Sequence, residues 1–394
     1  MSRRICAVTG SRADWGLLRP VLDGIRDTDD LQLQIAVTGA HLSAAHGHTV
    51  DAIAAEGFTV DARVDLAQRG DDATEVTRAL GRGVIGFADT LQALSPDLLL
   101  VLGDRYEILA AVQAALIARV PVAHIAGGDI TEGAFDDAIR HAITKLSHLH
   151  FVTHADARER VLQMGEDPAR VHLSGSPGID QILATPRLSR EALSQSLDFP
   201  LRARNLAITF HPATLDDEQP LAQLDALLTA LGRLGTDTGL IFTGANTDTG
   251  GDALNTRIAD FVAERGHACL HPSLGQQRYY SLVAEADAVV GNSSSGLYEA
   301  PSLGTPTVNI GSRQQGRPRA ASVIDCPARA DAIVDAIQRA LTQDTGAVEN
   351  PYGDGRAAER ILAVLRGPWT RDALVHKRFV DRFPPRFPQT GDAS

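Results

Sequence analysis

The run Leu98-Leu99-Leu100-Val101-Leu102 is unbroken in its apolarity, is of strand length, and stops at Gly103-Asp104-Arg105-Tyr106-Glu107. A strand with no polar face must be covered on both sides, which is the situation of a central strand in a parallel α/β sheet. Asp104 therefore stands at the carboxyl end of a buried strand, the edge at which open α/β sheets bind ligands. The same unit recurs along the chain. Residues 5–8 read as a strand that ends in Thr9-Gly10-Ser11-Arg12-Ala13-Asp14, followed by Leu17, Leu18, Val21, Leu22 and Ile25 at helical spacing. Residues 33–37 end in Thr38-Gly39-Ala40-His41, residues 58–64 form a third strand and 74–94 a long helix. Strands over 120–125, 149–152 and 171–173 alternate with helices near 108–118, 136–146 and 155–164.

At 394 residues the chain exceeds one ordinary core and suits two domains of about 150 to 200 residues. A second strand series at 206–210, 240–243, 288–290 and 307–310 follows a polar stretch over 185–204. The expectation is an α/β protein of two Rossmann-like domains with a cleft between them, spanning 1–184 and 185–366. A Pro-, Arg- and Phe-rich tail over 367–394 follows, with a short helix near 372–382 and otherwise draped or mobile. A formal charge of −12 and pI near 5.5 exclude the basic stripe needed for a nucleic-acid or membrane-surface partner. Cys6, Cys269 and Cys326 lack paired spacing and read as small core residues, without disulfide or metal site. No apolar run approaches the roughly 18 residues of a membrane span, and no signal-peptide anatomy opens the chain; a soluble, cytoplasmic protein is expected.

Chemistry-bearing residues gather at the strand ends. Gly291-Asn292-Ser293-Ser294-Ser295-Gly296 lies between a strand and an expected helix over 297–303, where exposed backbone N–H groups suit a phosphate; an ordinary serine cap is the plainer alternative. Glu299 falls one turn later, placed either to accept both hydroxyls of a ribose or as an exposed helix residue. His211 is fixed between Phe210 and Pro212 and could donate to a diphosphate or be structural. Arg12, Arg105 and Arg313 also follow strand ends, as phosphate ligands or salt-bridge partners. Asp104, Asp129, Asp136 and Asp137 occur with His124, Arg140 and His141 within a short stretch. Carboxylates sharing a pocket raise one another's pKa, so that one can act as acid and another as base. The alternatives are that Asp136 or Asp137 caps a helix and that Asp104 pairs with Arg105.

Taken together, Thr9-Gly10-Ser11-Arg12-Ala13-Asp14, Gly103-Asp104-Arg105, His124-Ile125-Ala126-Gly127-Gly128-Asp129, residues 136–145, Gly291-Asn292-Ser293-Ser294-Ser295-Gly296 and Asn309-Ile310-Gly311-Ser312-Arg313-Gln314 resemble the hydrolysing UDP-N-acetylglucosamine 2-epimerases, from residue 3 to about 365. The resemblance implies a glycosyltransferase-B-like fold and a UDP-sugar substrate. It also implies no cofactor or metal, a homodimer or homotetramer, and release of UDP through a glycal that water converts to the free 2-epimeric sugar. By position it implies Asp104 and Asp136 as catalytic carboxylates and His211 at the leaving diphosphate. Arg12, Arg105, Asn246, Ser293, Ser294, Glu299 and Arg313 become UDP contacts and Ser273 and Leu274 the uracil neighbours; Arg140 is expected to bind the substrate, and His41, Leu42 and Ser43 to report which sugar is taken at C4 and C6. Some members carry a glutamate where this chain has Ala126; either that carboxylate is not used in this subgroup or Asp129 supplies it, and Asp129 is the favoured replacement. A non-hydrolysing epimerase, a glycosyltransferase and a silent nucleotide-sugar sensor are the competing readings.

Overall fold

The computed structural model describes residues 2–43, 49–70, 72–131, 135–212, 220–245, 251–346 and 348–382. By contact the chain divides into two compact units, Met1–Gln181 with Gly355–Ser394, and Ile182–Asp354. The first is built on β1 (Arg3–Thr9), β2 (Leu31–Thr38), β3 (Ala62–Val64), β4 (Leu98–Leu102), β5 (Val122–Ile125), β6 (Leu149–Val152) and β7 (Val171–Leu173). These form a seven-stranded sheet in the order β3-β2-β1-β4-β5-β6-β7, every pair parallel. The second contains β8 (Arg204–Thr209), β9 (Thr238–Thr243), β10 (Ala268–His271), β11 (Ala288–Gly291), β12 (Thr307–Ile310) and β13 (Val323–Cys326). Its six-stranded sheet is also fully parallel, in the order β10-β9-β8-β11-β12-β13. Both sheets thus reverse strand order once, between β1 and β4 and between β8 and β11, and at such a point the flanking loops diverge and leave a crevice.

The apolar run that defines β4 divides its side chains between two cores. Leu98, Leu100 and Leu102 pack with Leu18, Leu22 and Ile25 of helix Arg12–Arg26, whereas Leu99 and Val101 pack with Phe87 and Leu91 of helix Ala73–Leu94. Each such buried leucine contributes about 2 kcal/mol, which is why the strand carries no polar position. The helices are started by short polar side chains. Ser11 accepts from the Asp14 N–H at 3.3 Å, and Asp72 accepts from the amides of Thr74 and Glu75 at 3.0 and 3.1 Å.

Several expectations are corrected. The third strand begins at Ala62 rather than 58, because Phe58 leaves the sheet edge to pack edge-to-face on Trp15 at 5.0 Å. Strands β10 and β13 went unread: both lie at a sheet edge and bury only part of their surface, so they lack the apolar run of a central strand. Of the cysteines only Cys6 is in the core, where burial raises its thiol pKa to about 12; Cys269 and Cys326 are half-buried.

The larger correction concerns the C-terminal segment from Gly355. Helix Ala357–Leu365 was expected in the second domain and instead buries Ile361 and Leu365 in the core of the first, beside helix Arg12–Arg26. Its first amides are capped from within that unit, Asp180 accepting from Ala357 N and Ala358 N at 2.9 and 2.7 Å. The described part of the tail is tied down as well, and its helix is shorter than expected, Arg371–Val375. Arg170 donates to the carbonyls of Ala373, Leu374 and His376, and Val380 donates to Gly165 O at 2.9 Å. Lys377 reaches the buried carboxylate of Glu166 at 2.7 Å, which also receives Lys145 at 2.7 Å and lies 3.0 Å from His150 Nε2. Burial alone would raise the Glu166 pKa, but these hydrogen bonds outweigh it and hold it near 2.

Because the folded pKa of Glu166 lies below its ordinary value of 4.5, its ionised form stabilises the fold above that value, and the contribution is lost as pH falls toward 2. Lys377→Met should lower stability at neutral pH by about 2 kcal/mol, less than for a pair broken outright because Lys145 remains. The deficit should shrink progressively below pH 4.5. Thermal unfolding across pH measures it, and a pH-independent deficit would remove Glu166 from the account.

Candidate active site

The loops after β1, β2 and β4 meet at the reversal point of the first sheet. His41 donates its backbone N–H to Gly10 O at 3.3 Å, and Gly103 N–H donates to Ile125 O at 3.1 Å. His124, fully buried at the end of β5, donates from Nε2 to Gly103 O at 2.8 Å, with its Nδ1 3.2 Å from the Thr144 hydroxyl. Burial lowers its pKa to about 3, so it is a neutral strut holding the turn that presents Asp104.

The carboxylates do not form one undivided cluster. Asp104 pairs with Arg140 of helix Phe135–Leu146, rather than with its neighbour Arg105. Arg140 also donates to Asp129 O at 2.9 Å and to Thr131 Oγ1 at 3.0 Å. Arg105 instead pairs with Glu107, whose side chain is entirely buried and whose Oε2 has no hydrogen-bond partner among the described residues. Glu107 lies so close to the chain after β1 that a Cβ on Gly10 would stand 2.6 Å from its Oε1. Asp14, also buried, accepts from Gly10 N–H at 3.3 Å, and desolvation raises its pKa. Arg12, at the same loop, is exposed.

Asp137 accepts from Thr131 N–H at 2.7 Å and lies 3.6 Å from Arg140 and 3.4 Å from His141, so it is the structural member of the adjacent acidic pair. Asp136 makes no hydrogen bond or ion pair among the described residues. Its pKa is raised, first by burial and then by the negative charge of Asp104. The Asp129 carboxylate is taken by the Thr153 hydroxyl at 2.6 Å and His154 Nε2 at 3.2 Å. The carboxylate is thus held from the β6 side rather than by Asp104. His41, expected at the sugar, has Nε2 2.9 Å from Thr9 Oγ1 and Nδ1 2.8 Å from Thr49 Oγ1, and burial lowers its pKa to about 4. With both nitrogens occupied, it shapes its loop and offers no free donor.

In the second unit a pocket of about 470 Å³ opens at the carboxyl ends of β8, β9 and β11. It is lined by His211, Ser273, Leu274, Ser293, Ser294 and Glu299, all singled out in the sequence, and by residues that were not, among them Tyr279, Tyr280, Gln276, Thr209 and Thr243. The reversal point is latched by Asn292, which accepts from His211 N–H at 2.7 Å and donates to His211 O at 2.8 Å. Arg313 donates to Asn292 O at 3.2 Å and does not line the pocket. Asn246 lies outside the described residues. The expected helix over 297–303 is two short pieces, Ser295–Tyr298 and a 3₁₀ turn Ala300–Leu303, so the loop offers hydroxyls and single amides rather than a long helix dipole. Glu299 accepts from Ser295 Oγ at 2.6 Å, and burial raises its pKa. The one available signal for the missed lining residues was the pair Tyr279-Tyr280, in a chain holding only 5 tyrosines.

The family model described as UDP-N-acetylglucosamine 2-epimerase matches residues 23–366. The chain is 36% identical over 382 residues to a Campylobacter jejuni protein named GDP/UDP-N,N'-diacetylbacillosamine 2-epimerase (hydrolyzing), covering 96% of this chain and 99% of that one. It is 34% identical over 366 residues to the UDP-N,N'-diacetylbacillosamine 2-epimerase (hydrolyzing) of Legionella pneumophila, covering 93% and 96%. Its fold is similar to the crystal structure of UDP-GlcNAc 2-epimerase from Neisseria meningitidis bound to UDP-GlcNAc, with a TM-score of 0.75 at 18% identity, over 92% of this chain and 99% of that one.

Gly291 sits where β11 meets the pocket, with φ of +142°, and a Cβ there would lie 1.9 Å from Thr209 O. Gly291→Ala should therefore destabilise the second unit by roughly 3 kcal/mol through overpacking and backbone strain. Chemical denaturation followed by near-UV signal checks it, and a cost below about 1 kcal/mol would show that the β8–β11 latch yields.

Proposed function

The chain belongs to the UDP-N-acetylglucosamine 2-epimerase family, and we propose that within it this is a hydrolysing enzyme. It would convert a UDP-N-acetylated sugar and water to UDP and the free 2-epimer. The observation that carries the reading is the pair Asp104 and Asp136, close enough for the charge of one to help raise the pKa of the other. Relatives named as hydrolysing, similar over nearly the whole chain, support it.

The reaction is an anti elimination followed by hydration. A base takes the proton from C2, the C–H electrons form the C1–C2 double bond, and the C1–O electrons leave with the diphosphate. Water then adds, its hydroxyl to C1 and a proton to C2 on the opposite face. Positive charge develops at the anomeric carbon and negative charge on the leaving diphosphate, so carboxylates serve the first and cationic or N–H groups the second. In this reading Asp136 is the base that takes the C2 proton, Asp104 is its partner steadied by Arg140, and Asp129 is the third carboxylate. His211, Ser293 and Ser294 serve the diphosphate, with Arg12, Arg105, Arg313 and Asn246 as further contacts. Glu299 takes the ribose and Ser273 and Leu274 the uracil. UDP-GlcNAc and UDP-2,4-diacetamido-2,4,6-trideoxyglucose both belong to the substrate class, and the relatives from Campylobacter and Legionella are named for N,N'-diacetylbacillosamine.

Incubation with each nucleotide sugar in D₂O, followed by NMR, should show equimolar UDP and free sugar, inverted at C2 and carrying deuterium there. UDP release with an unepimerised sugar would point to transfer or simple hydrolysis, and epimerised UDP-sugar to the non-hydrolysing reaction. Asp104→Asn should cut UDP release by about 10³-fold while UDP still binds; near-wild-type release from that variant sinks the assignment. Because the Asp136 pKa is raised from its ordinary value of 3.8, the form that accepts a proton is lost as pH falls through a value above that one. The acid limb of the kcat profile should lie there and vanish in Asp136→Asn.

A further inference from the structure

Five pocket groups of the second unit form one directional chain of hydrogen bonds that ends on Glu299. An ionised carboxylate can only accept, so the Ser295 hydroxyl, 2.6 Å from Glu299 Oε2, donates to it. Having spent its single proton, Ser295 Oγ must accept from the Tyr279 hydroxyl, 2.5 Å away. Tyr279 is bonded in turn to the hydroxyl of Thr209, and Thr209 to that of Thr243. Ser295, Thr209 and Thr243 are all buried, and all five side chains line the pocket. The consequence falls on the carboxylate. Its Oε2 is held from behind by Ser295, and its Oε1 makes no hydrogen bond among the described residues.

We propose that Tyr279 and Ser295 are positioning residues for ribonucleotide selection. By holding Oε2 they aim the two lone pairs of Oε1 at the cis 2′- and 3′-hydroxyls of the bound nucleotide, although neither residue needs to touch the ribose. The inference rests on the reading that the nucleotide of a UDP-sugar occupies this pocket. Tyr279 fits the task because its rigid ring, carried by helix Gly275–Glu285, leaves one torsion for the hydroxyl proton, which Ser295 captures. Such a relay holds the carboxylate rotamer only while every link donates in the same sense, so removing one hydroxyl frees Glu299 to turn.

Titration calorimetry with UDP and 2′-deoxy-UDP, on the wild type, Tyr279→Phe and Ser295→Ala, tests it. The wild type should prefer UDP by about tenfold or more, the worth of a hydrogen bond to a charged acceptor. Each variant should lose most of that preference, through weaker UDP binding, while its affinity for 2′-deoxy-UDP stays within about twofold of wild type. Equal losses for both ligands would make the two residues merely structural and overturn the proposal, as would a preference that survives in both variants. If the wild type binds UDP with no ribose preference, the positioning role fails alone. If the folded wild type binds neither ligand, the nucleotide reading fails and this inference with it.

Discussion

Everything at the candidate site depends on burying parallel strands on both faces. A strand such as β4 has no surface of its own to give to water, so polar chemistry is expelled to its ends, and only the carboxyl ends at a reversal of strand order open onto a crevice. Asp104 and Arg105 leave β4 at one reversal point, and His211 and Asn292 leave β8 and β11 at the other. The rest of the fold follows from covering those sheets with helices.

The charge distribution makes local sense of an acidic chain. With a net charge of −12, the first unit could not gather several carboxylates unless each had its own counterpart. Asp104 is assigned to Arg140, Glu107 to Arg105, Asp129 to His154 and Glu166 to two lysines. Asp136 lacks such a partner within the described residues, and its pKa rises, as does that of the buried Asp14. Partition of this kind lets a single carboxyl group be tuned while its neighbours stay fixed.

What could be read from residues alone was whatever repeats or punctuates. The β4 run, the helical spacing of Leu18, Leu22 and Ile25, and the small residues from Gly291 to Gly296 announce themselves by period or composition. Partner choice does not. Adjacency suggested Asp104 with Arg105, but consecutive residues at a strand end point in different directions, and Arg140, 36 positions away, had the better geometry. Hydroxyl relays such as Tyr279–Ser295 leave no periodic trace, and edge strands β10 and β13 are too lightly buried to show an apolar run. The return of helix Ala357–Leu365 to the first unit was hidden because amphipathic spacing says which face is buried, never against which core.

That return has a consequence for how the molecule is made. The first unit is discontinuous in sequence, whereas the second is one uninterrupted segment, Ile182–Asp354. On the ribosome the seven-stranded sheet emerges first, yet its core lacks Ile361 and Leu365 until almost the whole chain has been translated. The second unit can close as soon as its own residues are out. The nascent protein therefore holds its first sheet open on one side while a later domain folds, and the last helix to appear is the one that seals it.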